Sequence, residues 1–85
     1  MKIHKQVLDF KPNERQKILV DGKLVNINVQ YNTPIIYFEV GDKMEYEIMF
    51  VETGKEVDTT DLSYVNTFMM GGGLYVLHLY CGGNI

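Results

Sequence analysis

The stretch Ser63 to Tyr80, S-Y-V-N-T-F-M-M-G-G-G-L-Y-V-L-H-L-Y, sets the strongest limit on the fold. Two runs of aromatic and β-branched residues, which suit a pleated and half-buried surface, flank three consecutive glycines able to take the positive φ values of a tight reversal. The reading is a long β-hairpin. In its first arm Val65, Thr67 and Met69 share one face and Tyr64, Asn66, Phe68 and Met70 the other. In the second arm Leu74, Val76, His78 and Tyr80 alternate with Tyr75, Leu77, Leu79 and Cys81. Neither face of that second arm is very polar, so it belongs in the middle of a sheet or against another subunit.

The rest of the chain carries the same period. Lys2 to Leu8 has imperfect alternation, and Pro12-Asn13 then interrupts. Lys17 to Val20 leads into Asp21-Gly22, a dipeptide suited to a two-residue type I′ turn. Between Leu24 and Gln30, Val25, Ile27 and Val29 oppose Asn26, Asn28 and Gln30, and Asn32-Thr33-Pro34 reads as the next turn. Ile35 to Val40 and Lys43 to Val51 read as two more strands separated by a Gly41-Asp42 turn. Thr53 to Leu62 is the longest polar stretch, a mobile loop with room for a short helical turn. The expected architecture is all-β and mainly antiparallel, a meander of six or seven strands forming a curved sheet or small sandwich with little or no helix.

Length and charge restrict what such a sheet can do. At 85 residues the chain is a single small domain that buries only roughly 60% of the surface its unfolded form exposes, which favours self-association. Its longest apolar run, Ile35 to Phe38, falls far short of the ~20 residues of a bilayer-crossing helix, and no leader-like apolar segment follows the N-terminus. Cys81 is the only cysteine, in keeping with a reducing, cytoplasmic setting. The net charge of −3 argues against long nucleic acid. The charge is uneven: residues 1–23 carry six basic groups against three acidic ones, and residues 24–85 carry two against eight. An anion site would therefore draw its cations from the N-terminal segment, although the same charges also serve to solvate strand faces.

Catalytic and metal-binding patterns are weak. One serine, one cysteine and two histidines offer no defensible nucleophile–base spacing. Glu45 and Glu47 fall on the wet face of a strand. His78 and Cys81 fall on opposite faces, which is no metal site. Gly71-Gly72-Gly73 leads into a strand rather than a helix, so it is a turn before it is an anion cradle. The six tyrosines are the more suggestive feature, either as stacking surfaces for base-like ligands or as the lining of a small β core. No catalytic residue, metal or cofactor is assigned.

The succession Gly22-Lys23-Leu24-Val25, Val29-Gln30, Pro34-x-Ile36-Tyr37, Thr53-Gly54, Tyr64-x-x-Thr67-Phe68 and Gly72-Gly73-Leu74 through His78-Leu79-Tyr80 resembles a family of small phage-encoded proteins. The resemblance covers nearly the whole chain in order. Where that family often has Trp or another aromatic, this chain has His4, Tyr37 and Leu77, and it has no Trp at all. Some members look like anti-defence sponges that sequester the cyclic oligonucleotide messengers of bacterial CBASS immunity without hydrolysing them. The resemblance implies a cyclic di- or oligonucleotide ligand at subunit interfaces of a homo-oligomer, dimer or tetramer, in the host cytoplasm. The ligand-binding candidates are Lys5 and Arg15 for phosphate, Tyr37 and Tyr75 for stacking, and His4, Thr67 and His78 for polar contacts, with Asn26 or Asn28 adding hydrogen bonds. The alternative is a small interaction module that binds a host or phage protein through a strand edge or the aromatic hairpin.

Overall fold

A computed structural model describes residues 1–83. They form an antiparallel sheet of five strands: β1 (Ile3–Val7), β2 (Gln16–Gln30), β3 (Thr33–Glu52), β4 (Ser63–Met70) and β5 (Tyr75–Gly83). The all-β antiparallel architecture is the one expected, with five strands in place of six or seven. β3 organises it. One edge of β3 pairs with β2, from Gln16↔Ile48 to Gln30↔Thr33. The other edge is divided, with β1 paired over Ile35–Glu39 and β5 over Tyr46–Glu52. β4 closes the far side of β5, so the last strand is central, as two faces of low polarity favour.

The missing turns explain the lower strand count. Asp21-Gly22 and Gly41-Asp42 reverse nothing; they lie inside β2 and β3 and face one another across an irregularity between Val20↔Met44 and Gly22↔Val40. Asp21 alone there opposes Gly41, Asp42 and Lys43. Such a bulge bends a strand pair, and turn-forming residues serve a bulge as well as a reversal. Gly22 is required by the close approach: a Cβ would lie 1.9 Å from the carbonyl oxygen of Glu39. A second irregularity leaves Val25 as the extra residue and 55% exposed, against the expected place beside Ile27 and Val29. Tyr46, across the bend and 3% exposed, offers its hydroxyl oxygen to the Leu24 N–H at 2.9 Å.

The actual reversal of the β2–β3 hairpin is Tyr31-Asn32, one position earlier than expected. Both residues hold positive φ, +51° and +60°, as a type I′ turn requires. The triple-glycine turn forms where expected, with φ of +63°, +68° and +93°.

Bending at the bulge brings the two ends of β3 together. The Gly71 N–H donates to Asn32 Oδ1 at 2.9 Å, joining the tips of the two hairpins. The Leu8 N–H donates to the Pro34 carbonyl at 2.9 Å, while Asn13 N–H reaches the Phe50 carbonyl at 2.6 Å, so one short segment spans from the start of β3 to its end. Asn13 also accepts from the Glu52 N–H at 2.9 Å and donates to its carboxylate at 2.7 Å. The sheet is thus folded on itself, and the even-numbered side chains of both halves of β3 meet in one core. Ile36, Phe38, Tyr46, Ile48 and Phe50 pack with Ile18, Val20 and Ile27 of β2, Phe68 and Met70 of β4, and Leu77, Leu79 and Cys81 of β5. Each large aliphatic or aromatic group buried there contributes about 1.5–3 kcal/mol.

Thr53–Leu62 contains no helical turn and lies against the sheet. The Cβ position of Gly82 falls 2.5 Å from the Asp61 carbonyl oxygen. No helix among the described residues is long and apolar enough to cross a membrane.

Gly22→Ala should destabilise the protein by at least about 2 kcal/mol, because the new methyl group meets backbone that cannot yield without opening the bend. Gly41→Ala is the control, since its Cβ would meet nothing closer than 3.9 Å. It should change stability by no more than about 0.5 kcal/mol. Urea unfolding followed by far-UV circular dichroism measures both.

Candidate functional site

The odd-numbered residues of β3 point away from the core, and the bend sends them outward from two different walls. On the first wall the register aligns three strands. Lys5 of β1 and Asn26 of β2 lie directly opposite Tyr37 of β3, and Val7 and Asn28 lie opposite Ile35 in the next row. Tyr37 is half-buried between neighbours, while Lys5, Asn26 and Asn28 are exposed. A cation, an aromatic ring and a side-chain amide therefore share one open surface. That combination can stack a planar ring, pair with an anion and hydrogen-bond a base or ribose edge. β1 is exposed along its whole length, on both faces.

On the second wall the outward residues of β5 are His78 and Tyr80, opposite Val51 and Met49 of β3. Thr67 of β4 faces His78 directly. Both imidazole nitrogens are engaged: Nδ1 lies 3.0 Å from Thr67 Oγ1 and Nε2 lies 2.8 Å from Thr53 Oγ1. Thr67 Oγ1 is in turn 2.7 Å from the Tyr64 hydroxyl, and the Tyr64 ring meets Tyr80 edge-on with centroids 5.9 Å apart. A hydroxyl on each nitrogen fixes the ring's orientation, one bond donated by the ring and the other accepted in the neutral form. Among the described residues no carboxylate hydrogen-bonds this ring.

The Thr53–Leu62 segment covers the rest of the second wall, leaving Met49 and Val51 only 2% and 8% exposed although they face away from the core. Arg15 fastens it. Its guanidinium donates to the Thr60 carbonyl oxygen and stands 3.7 Å from the Glu47 carboxylate. Asp58 accepts from both the hydroxyl and the N–H of Thr60, and those bonds lower its carboxyl pKa below the ordinary value. This Asx-type turn therefore supports the segment above the ordinary carboxylate range and loses that support as pH falls from there through the lowered folded value.

The seven ligand-binding candidates thus fall into separate places. Lys5 and Tyr37 come together with Asn26. Thr67 and His78 come together with Tyr64 and Thr53, two residues the sequence reading left out. His4 points away from Lys5, as alternation dictates, and its ring meets Phe38 edge-on at 6.0 Å. Tyr75 stands at the hairpin tip, 52% exposed. Arg15 serves the Thr53–Leu62 segment. Asn13 ties the loop before β2 to the end of β3 from a positive φ of +65°, a region asparagine tolerates better than most residues.

At the bend, Leu24, Met44, Tyr46 and Cys81 line an apolar recess of about 530 Å³. Burial raises the Cys81 thiol pKa above its ordinary value.

Fold and site together define a small all-β protein with polar and aromatic groups displayed on two outer walls. A family model described as domain of unknown function (DUF7352) matches residues 1–84, and the chain belongs to that family. No curated protein and no solved structure matches it.

The direction of the Cys81 shift carries a sign. The folded state favours the neutral thiol, so the unfolded chain ionises first; this contribution is intact below the unfolded thiol pKa, about 8.5, and is lost as pH rises through the higher folded value. Urea unfolding between neutral and alkaline pH should show that loss in the native sequence and not in Cys81→Ala. Iodoacetamide should modify the folded thiol more slowly than the unfolded one across the same range.

Proposed function

We propose that the protein is a non-enzymatic capture protein for a cyclic nucleotide signal, used by a phage against the defence of its host in the host cytoplasm. The supporting observation is the aligned row of Lys5, Tyr37 and Asn26 across three strands. A cyclic dinucleotide carries two phosphate charges and two stacking bases, so it asks for few cations and for aromatic faces rather than a basic protein. The row is open, and one protomer touches only one side of a ligand laid on it. Capture therefore involves a second copy, in a dimer or tetramer, with the nucleotide held between subunits. Thr67 and His78, on the other wall, supply a further polar surface to the assembly.

A second reading has its own observation. β1 leaves one backbone edge and both side-chain faces open, the arrangement by which an edge strand accepts a strand from another protein. In that case the protein is an interaction module for a host or phage protein.

The two readings part on what the purified protein retains. The purified protein is mixed with a panel of cyclic di- and trinucleotides, washed, and heated; capture returns an intact nucleotide after denaturation, and hydrolysis returns a cleaved one. Tyr37→Ala should weaken the retained nucleotide by roughly 5- to 150-fold, the range for removing one base–aromatic stack. An absence of any thermal shift across the panel sinks the capture reading. Native mass spectrometry showing a stoichiometric protein partner and no nucleotide favours the second.

A further inference from the structure

The sheet ends in three edge strands, and they are not alike. Lys5 on β1, with Lys2 just before it, and Lys17, Asp21 and Lys23 on β2 set charges along those edges, which count against pairing with a second copy. β4 ends the sheet beyond β5 and carries no charge. From Leu62 to Gly83 the chain has no Asp, Glu, Lys or Arg, on a protein whose net charge is −3. The bulge at Val65 leaves Asn66–Met70 as the regular run, with Met69 73% exposed.

The register fixes where the β4 backbone groups point. The Val76 carbonyl accepts from the Thr53 N–H at 3.2 Å, on the β3 side of β5. Its β4 partner Met69 therefore turns its own N–H and C=O away from β5, and Thr67 does the same two residues earlier, because antiparallel pairs alternate. The Thr67 N–H accordingly donates to a side chain, Asn66 Oδ1, at 2.8 Å and not to the ladder.

We propose that β4 pairs antiparallel with β4 of a second copy about a two-fold axis at Phe68, so that the sheet runs on through both subunits. Centred there, Thr67 of each chain faces Met69 of the other, and each such pair exchanges two N–H···O=C bonds. Thr67 gives up its bond to Asn66 for one to the partner's backbone. The occupant is a second copy because the edge complements itself: an isologous contact sets no charge against its like, and it covers each exposed Met69 with the Thr67 opposite. The pairing also completes the His78 network. Thr67 is its outermost strand position, bound to His78 Nδ1 and to the Tyr64 hydroxyl, and Met69 of the partner subunit closes the side that the sheet edge leaves open. The interface uses neither β1 nor the Lys5–Tyr37–Asn26 row, and it stands whether or not that row holds a nucleotide.

The test is sedimentation velocity on the native chain without nucleotide. A dimer, or a larger even assembly, is expected. Met69→Lys, on an exposed side chain, should raise the dissociation constant of this contact by about tenfold or more and leave the far-UV circular dichroism spectrum unchanged, whereas Met69→Leu should keep the assembly. The register is read by cross-linking. Thr67→Cys and Met69→Cys, mixed under mild oxidation, should give a covalent dimer, because directly opposed residues there stand about 5.5 Å apart at Cα, within disulfide reach. Either variant alone should not, and the native chain, whose one cysteine is buried, is the control. A native monomer, an assembly indifferent to Met69→Lys, or single variants that cross-link as well as the mixture overturn the proposal. The measurement uses no nucleotide, so its failure and failure of the cyclic nucleotide panel are separate results.

Discussion

The bend in β3 is the constraint from which the rest of the molecule follows. A strand of twenty residues that ran straight would present its alternating faces to water on both sides, with too few other residues to cover either. Breaking the β2–β3 register at Gly22 and Gly41–Lys43 lets one hairpin supply both walls of the core. The condition is steric: Gly22 must approach the Glu39 carbonyl more closely than any side chain permits. Tyr46 then fills the inside of the bend and satisfies the Leu24 N–H that the second irregularity would otherwise strand. Covalent continuity through the bend also lowers the entropy of bringing the two walls together, because each wall is anchored to the other by a strand already paired.

The same bend decides the fate of the outward residues. Tyr37 and Met49 have the same parity on the same strand, yet Tyr37 remains on an open surface while Met49 is sealed. The difference lies in the chain that follows. Thr53–Leu62 leaves the end of β3 and must return to start β4, and in doing so crosses the second wall; on the first wall Ile35 is buried, at 6% exposed, and Tyr37 is only half-buried. Lys5 and Asn26 accordingly stay exposed beside Tyr37, where β1 sits at the margin of the sheet. The His78 network, beside the crossing segment, is held from three strands or their ends at once: Thr53 after β3, Thr67 and Tyr64 on β4, and His78 on β5.

Much of this was legible in the sequence, and the limits were physical. Period-two alternation separated the two faces of β5, Leu77, Leu79 and Cys81 from Val76, His78 and Tyr80, but with neither very polar it left open which of them enters the core. Thr67 and His78 were legible as separate candidates for polar contacts, and the register of the hairpin sets them opposite one another. Asp21-Gly22 and Gly41-Asp42 misled because a reversal and a bulge ask for the same residues; only the pairing of one with the other across the hairpin distinguishes them. The turn falls at Tyr31-Asn32 and not at Asn32-Thr33-Pro34 although tyrosine at positive φ is uncommon and a proline is itself a common turn residue. Lys5 and Tyr37 were both legible as candidates, but their adjacency depends on β1 docking against β3 with β2 already on its other edge, a long-range choice that no local pattern encodes. Arg15 likewise reads as a free cation until Thr60 and Glu47 are placed beside it.

β1 contributes no buried side chain of its own; every residue from Ile3 to Val7 is exposed, and the anchor is Leu8, just beyond it. Its attachment is the backbone ladder to Ile35–Glu39, extended by the Val40 N–H to the Lys2 carbonyl. An element held by ladder bonds over a surface it does not seal opens locally, at far lower free energy than the core, and its amides exchange with solvent by that route. Lys5 rides on this strand. The first wall therefore joins Tyr37, on the central strand, to a cation on the most weakly attached strand of the sheet.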